Sequence, residues 1–157
     1  MKITGLRFFT VYGPWGRPDM APVLFAKAGM EHKPIKVFNN GEQSRDFTYI
    51  DDIVEGIVRL IDHPPVEDVP SAVFNIGNNK PEKLMVFIGT LEKCLSKSLN
   101  REVVFDKVFE PIKPGDVPAT YASTDLLQKA VGFKPKTSIE EGLQQFTDWY
   151  VDYYNVK

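Results

Sequence analysis

The chain has 157 residues, 43% hydrophobic and 25% charged, with a formal net charge of −2, which fits one globular core at roughly 100–200 residues per domain. No dense Lys/Arg run gives it the electrostatic footprint of a nucleic-acid binder. One cysteine, Cys94, excludes an internal disulfide and suits a reducing cytoplasm, and the isolated His32 and His63 form no cluster at metal-ligand spacing.

No segment approaches the roughly 18 consecutive apolar residues of a membrane span, and Met1-Lys2-Ile3 is not followed by a signal-peptide pattern. The expectation is one soluble, cytoplasmic, metal-free domain over residues 1–157, with no membrane and no nucleic-acid partner.

In chain order, Leu6 to Tyr12 is a run of β-branched and aromatic residues that reads as a strand buried on both faces, broken at Gly13-Pro14 into a loop carrying Arg17. Pro22 to Ala28 reads as a short helix with proline in its first turn and Gly29 near its end. Ile35 to Phe38 is a short strand running into the turn Asn39-Asn40-Gly41, and Arg45 to Ile50 is a second. Asp51-Asp52 supplies N-cap chemistry to a helix whose apolar stripe is Ile53, Ile57, Leu60 and Ile61, stopped by Pro64-Pro65.

Asp62 to Ser71, with three prolines and three acids, reads as a surface loop, and Ala72 to Gly77 as a strand ending in the turn Asn78 to Pro81. Leu84, Phe87, Ile88, Leu91 and Leu95 make Lys83 to Leu99 an amphipathic helix, with Cys94 at the edge of its stripe. Arg101 to Phe109 alternates as an edge-type strand, and Glu110 to Pro118 is a proline-rich loop. Ser123 caps a short helix ended by Gly132. Ser138 and Glu141 stand at capping-box spacing before a last helix with Ile139, Leu143, Phe146, Tyr150 and Tyr153 on one face.

Three groups of residues carry chemistry. The guanidinium of Arg45, after the Gly41 turn, offers a rigid fork of donors suited to phosphate oxygens; the alternative is an ion pair with Asp46 or Asp52. Asp116, in Lys113-Pro114-Gly115-Asp116-Val117-Pro118, can accept both hydroxyls of a ribose beside a cation; the alternative is a solvated loop. Thr10 and Arg17 are donors suited to a carboxylate; the alternatives are a plain strand residue and a solvated cation.

Thr4 to Met20, above all Gly13-Pro14-Trp15-Gly16-Arg17-Pro18-Asp19-Met20, resembles the strand and loop after the catalytic helix in nucleotide-sugar epimerases and dehydratases of the extended short-chain dehydrogenase/reductase family. It is most similar to the UDP-glucuronate 4-epimerases. The resemblance covers nearly the whole chain and maps to the second half of the family fold. It implies an α/β fold, the C-terminal lobe of that family, as a single substrate-binding domain over 1–157, with strands that would complete a Rossmann sheet belonging to a missing N-terminal NAD-binding half.

By the same resemblance, Val37, Phe38 and Asn39 line the uracil, Phe38 lies against the base, Arg45 holds the diphosphate and Asp116 the ribose. Lys113 stands where many members have arginine, so its phosphate contact would be a point charge without a fork. Thr10 and Arg17 lie at the sugar end, Thr10 on the carboxylate of a glucuronate. The implied activity is interconversion of UDP-glucuronate and UDP-galacturonate by transient oxidation at C4 with NAD.

The family's Gly-x-x-Gly-x-x-Gly cofactor turn is absent, and its Tyr-x-x-x-Lys base has only a chance match at Tyr153 and Lys157. The chain by itself is therefore expected to bind a UDP-sugar, to hold no NAD and to supply no catalytic residue. Its unpaired strands, Leu6 to Tyr12 and Val73 to Ile76, are expected to drive self-association. A dehydratase or decarboxylase domain of the same superfamily, or a non-catalytic UDP-sugar-binding or interaction module, are the competing functions.

Overall fold

The computed structural model of the chain describes residues 1–66, 70–121 and 123–156. In chain order the elements are β1 (Ile3–Phe8), β2 (Thr10–Tyr12), α1 (Ala21–Met30), β3 (Ile35–Val37), a 3₁₀ turn (Phe38–Gly41), β4 (Ser44–Tyr49), α2 (Ile50–Ile61), β5 (Ser71–Ile76), β6 (Pro81–Lys83), α3 (Leu84–Leu99), β7 (Lys107–Phe109), α4 (Asp125–Val131) and α5 (Ile139–Tyr153). Residues 67–69 of the proline-rich loop and Lys157 of the Tyr153/Lys157 pair lie outside the described residues.

The opening apolar run folds as two strands instead of one. They part at Phe9, where the Val11 N–H bonds back to the Phe9 carbonyl at 3.0 Å, an i to i+2 turn. The break lets one stretch serve two sheets. β1 pairs in parallel with β5, Leu6 opposite Phe74, and β2 pairs in parallel with β4, Thr10 opposite Phe47. β6, which the turn signal at Asn78 to Pro81 concealed, adds antiparallel to β4, and β3 pairs in parallel with β7.

Of the Arg101 to Phe109 run only Lys107–Phe109 is a strand, although Val103 and Phe105 ahead of it are buried. β1 and β5 are also not covered on both faces, since Ile3, Phe8 and Val73 are each about half exposed.

The main core forms where α3 and α5 pack together and against β2, β3 and β4. It holds Tyr12, Val37, Phe47, Phe87, Leu91, Leu143 and Phe146, with Phe47 stacked on Phe87 at 4.1 Å between centroids. Cys94, on the flank of the α3 stripe, is buried in this core, and burial pushes its thiol up from the ordinary value. A smaller core of Ile53, Leu60, Ile76, Leu127 and Phe133 lies among α2, α4 and β5. Ile61, placed on the apolar stripe by its spacing, is exposed at the end of α2.

The caps differ from expectation at two helices. α2 starts at Ile50 with Tyr49 as its N-cap residue, and the buried Asp52 accepts the Thr137 N–H at 3.0 Å, tying α2 to the start of α5. Thr124 takes the N-cap place of α4, while Ser123 Oγ donates to Asp125 Oδ2. At α5 the expectation holds: Ser138 Oγ accepts the Glu141 N–H at 3.2 Å.

Around the last turns of α5 lies an aromatic cluster. Trp149 stacks on Tyr153 at 5.2 Å, and Trp15, from the loop after β2, reaches both Trp149 (5.4 Å) and Tyr153 (4.7 Å). Tyr153 is thereby half exposed and committed to ring contacts. No helix among the described residues is long and apolar enough to cross a membrane.

Two outcomes follow from this packing. A Cβ on Gly142 of α5 would collide with Tyr12 Oη and stand 2.9 Å from the Tyr49 ring. Gly142→Ala is therefore expected to lower the melting temperature by the equivalent of about 1–3 kcal/mol, against the roughly 1 kcal/mol that alanine gains over glycine in an open helix. A raised melting temperature would show that the aromatic pair yields.

Burial first, then Tyr154, pushes the Tyr150 phenol up from 10.0 to about 12, and burial raises Tyr12 as well. Between these values the native chain holds protons that the unfolded chain has lost, so stability falls as pH rises through that window. The urea midpoint is expected to be lower at about pH 11 than at about pH 9.

Candidate functional site

A cleft of about 590 Å³ opens beside α1, and its lining includes Thr10, Leu24, Phe38, Arg45, Phe47 and Lys113. β2 and β4 run in parallel, so Thr10 and Phe47 stand side by side on its wall. Phe38 is the first residue of the 3₁₀ turn, in which Asn39 and Asn40 both take left-handed backbone angles, a conformation asparagine tolerates better than most residues. The result is a largely apolar slot with one hydroxyl, Thr10, three cations, Lys36, Arg45 and Lys113, and one carboxylate, Asp19, along it.

Arg45 sits at the start of β4 with its side chain 17% exposed. Its Nη1 donates to the carbonyls of Ser44 (2.9 Å) and Pro118 (3.3 Å), and its Nη2 donates to Asp116 Oδ1 at 3.1 Å. The other Asp116 oxygen accepts the Gln43 amide at 2.8 Å. Neither of the alternative partners of Arg45 is used in these contacts. The buried Asp46 takes the N–H groups of Asn78 (2.8 Å) and Asn79 (3.0 Å), and Asp52 is occupied with Thr137. The two residues that separate motifs pointed to, 71 positions apart, meet at one rim of the cleft.

The loop from Glu110 to Thr120 is pinned at both ends. The Glu110 N–H bonds to the Val37 carbonyl (2.9 Å) at one end, and Ser44 exchanges backbone bonds with Pro118 (3.0 Å) and Thr120 (3.2 Å) at the other. Between the pins, Lys113 to Asp116 forms a tight turn closed by the Asp116 N–H on the Lys113 carbonyl at 3.0 Å. Pro114 and Gly115 fill its central positions, and Gly115 has φ +84°, the type II geometry that asks for glycine there. Lys113 Nζ lies 3.9 Å from the centre of the Phe38 ring.

The remaining candidates are placed differently. Val37 is fully buried, its side chain in the main core. Asn39 contributes the left-handed backbone of the turn and is outside the cleft lining. Arg17 is exposed and makes a two-pronged pair with Asp19, Nε to Oδ1 at 3.0 Å and Nη2 to Oδ2 at 2.6 Å. That pair holds the Asp19 carboxyl below and the Arg17 guanidinium above its usual range. Asp19 itself lines the cleft.

The residue that sequence reasoning missed is Gln43. In Gly41-Glu42-Gln43-Ser44 it looks like one more polar turn residue, yet it is 7% exposed and fixes Asp116.

Dinucleotide binding at a βα turn needs free N–H groups at a helix N-terminus and glycines that open onto the pyrophosphate. Here α1 begins Ala21-Pro22, with proline in its first turn. A Cβ on Gly13 would stand 2.5 Å from Ile50 Cγ2, so that glycine serves close packing on α2. This loop and helix do not fit a pyrophosphate. Among the described residues no group of three or more His, Cys, Asp or Glu is arranged to hold a metal ion.

The model of the NAD dependent epimerase/dehydratase family matches residues 1–77. Protein CapI of Staphylococcus aureus is 46% identical over 98% of this chain and 48% of its own length, and a probable UDP-glucuronate 4-epimerase of Rhizobium meliloti is 44% identical over 96% and 47%. The chain is thus similar to the epimerase/dehydratase family over its first 77 residues and to these relatives over nearly all of its own length. It spans about half the length of the curated relatives it matches.

The crystal structure of a UDP-glucuronic acid 4-epimerase from Bacillus cereus, in complex with UDP-glucuronic acid and NAD, superposes with a TM-score of 0.81 at 34% identity, over 95% of this chain and 45% of that one. The α/β fold of this chain is thus that of extended short-chain dehydrogenase structures.

Proposed function

We propose that the chain is the UDP-sugar-binding lobe of a nucleotide-sugar 4-epimerase, with residues 1–157 as one substrate-binding domain. The substrate pair is UDP-glucuronate and UDP-galacturonate. The reading is carried by the meeting of Arg45 and Asp116 at 3.1 Å on the rim of a cleft that also holds Thr10 and Phe38. The names of the Rhizobium and Bacillus relatives support the choice of sugar.

In this reading each side chain does one thing. The Phe38 ring gives the uracil a flat apolar face. Arg45 neutralises the diphosphate, with its guanidinium already oriented by the Ser44 and Pro118 carbonyls. Asp116, still held by Arg45 and Gln43, offers the remaining lone pairs of its carboxylate to the ribose hydroxyls. Thr10 donates its hydroxyl to the glucuronate carboxylate, and Arg17, on the loop beside it, adds positive charge at the sugar end once it exchanges Asp19 for the ligand.

NAD would be held at a glycine-rich βα turn outside the described residues and would supply the redox exchange at C4. By itself the chain binds and does not turn over, in keeping with a cytoplasmic enzyme of which it is one lobe.

Calorimetry on the chain with UDP and with UDP-glucuronate tests the proposal. Both are expected to bind, and Arg45→Ala is expected to weaken both by about 1–3 kcal/mol, roughly 5- to 150-fold. No heat with UDP at millimolar concentration would overturn it.

A second proposal rests on β1 and β5. Parallel sheets occur almost only with both faces covered and with further strands beside them. This one has two strands, and Ile3, Phe8 and Val73 are about half exposed on it. We infer that the chain self-associates through these strands. Light scattering at micromolar concentration is expected to give a mass above the 17.8 kDa of one copy, and a clean monomer mass would refute it.

A further inference from the structure

Lys113 Nζ stands 3.9 Å from the centre of the Phe38 ring, well inside the roughly 6 Å over which an ammonium is held by an aromatic face. Both residues line the cleft, so the ring face that Lys113 covers is reached from that cleft. A flat heterocycle stacked on the same face would put its atoms at about 3.5–4.0 Å, the space the ammonium occupies. The two cannot be there together.

We propose that Lys113 is a displaceable plug on Phe38: the ammonium holds the ring face that a planar base takes, and a base stacking there drives it off toward the diphosphate. This rests on the UDP-sugar reading of the cleft.

Two features make the exchange work. The backbone of Lys113 does not have to move, because its carbonyl accepts the Asp116 N–H within the tight turn and Asp116 is held by Arg45 and Gln43. Only the four-carbon stem swings. The energies also fall in the right order: an exposed cation on a phenyl face is a weak contact, base stacking on an aromatic side chain is stronger, and the base wins.

The released ammonium is then left in the cleft that holds Arg45, where it becomes a second positive charge for the phosphates. Lysine suits this role better than arginine, whose planar guanidinium would itself lie flat on the ring and resist displacement.

NMR titrations of the chain and of Lys113→Ala, which clears the Phe38 face, with uridine, UDP and inorganic pyrophosphate test it. The variant is expected to bind uridine about 2- to 5-fold tighter, since its competitor is gone, to bind pyrophosphate more weakly, and to change little with UDP because the two effects oppose. Lys113→Arg is expected to bind uridine more weakly than the unaltered chain.

Uridine binding that is unchanged, weaker or undetectable in Lys113→Ala, while the unaltered chain binds UDP, would overturn the plug and leave the UDP-sugar reading standing. Failure of the unaltered chain to bind UDP would overturn both.

Discussion

The cleft depends on one carboxylate. Asp116 takes Arg45 on one oxygen and Gln43 on the other, and through them the loop after β7 is fastened to the start of β4. Arg45 is largely covered and Gln43 nearly fully so, while Asp116 is a third exposed. The cost of breaking the arrangement is therefore less the lost attraction than the donors left without an acceptor in a poorly hydrated place. The same loop is bonded to β3 by its backbone at one end and to Ser44 at the other, so Asp116 sets the middle of a span whose ends are already fixed.

Much of this frame was legible in the residues. The stripe Leu84, Phe87, Ile88, Leu91, Leu95 and the stripe Leu143, Phe146, Tyr150 place α3 and α5 and the seam between them. There periodicity and burial coincide, since each helix has one partner face. The strands were harder. Leu6 to Tyr12 has no glycine or proline to mark the break at Phe9, which comes from β1 and β2 being claimed by different neighbours. That is a tertiary cause with no local signal. Pro81 closes a turn signal and Lys83 opens the helical stripe, so no strand is read between them, and Pro81–Lys83 is a strand only because Ser44 to Asp46 lies opposite.

The same division runs through the site. Arg45 and Asp116 stand out by residue type within short rigid stretches, and the fold brings them together. What the chain's order does not carry is who holds whom. Asp46 and Asp52 are nearer to Arg45 in sequence and are taken by backbone N–H groups elsewhere, while the true partner comes from 71 residues away. Arg17 and Asp19, two residues apart and exposed, satisfy each other locally.

The aromatic cluster at the end of α5 has a practical side. The chain has two tryptophans, and they lie 5.4 Å apart in that cluster, Trp15 open to water and Trp149 stacked on Tyr153. Since Trp15 shares its loop with Arg17 and Asp19, the tryptophan emission of the protein comes from a single corner. Its colour and intensity follow that loop and the end of α5 on which it rests.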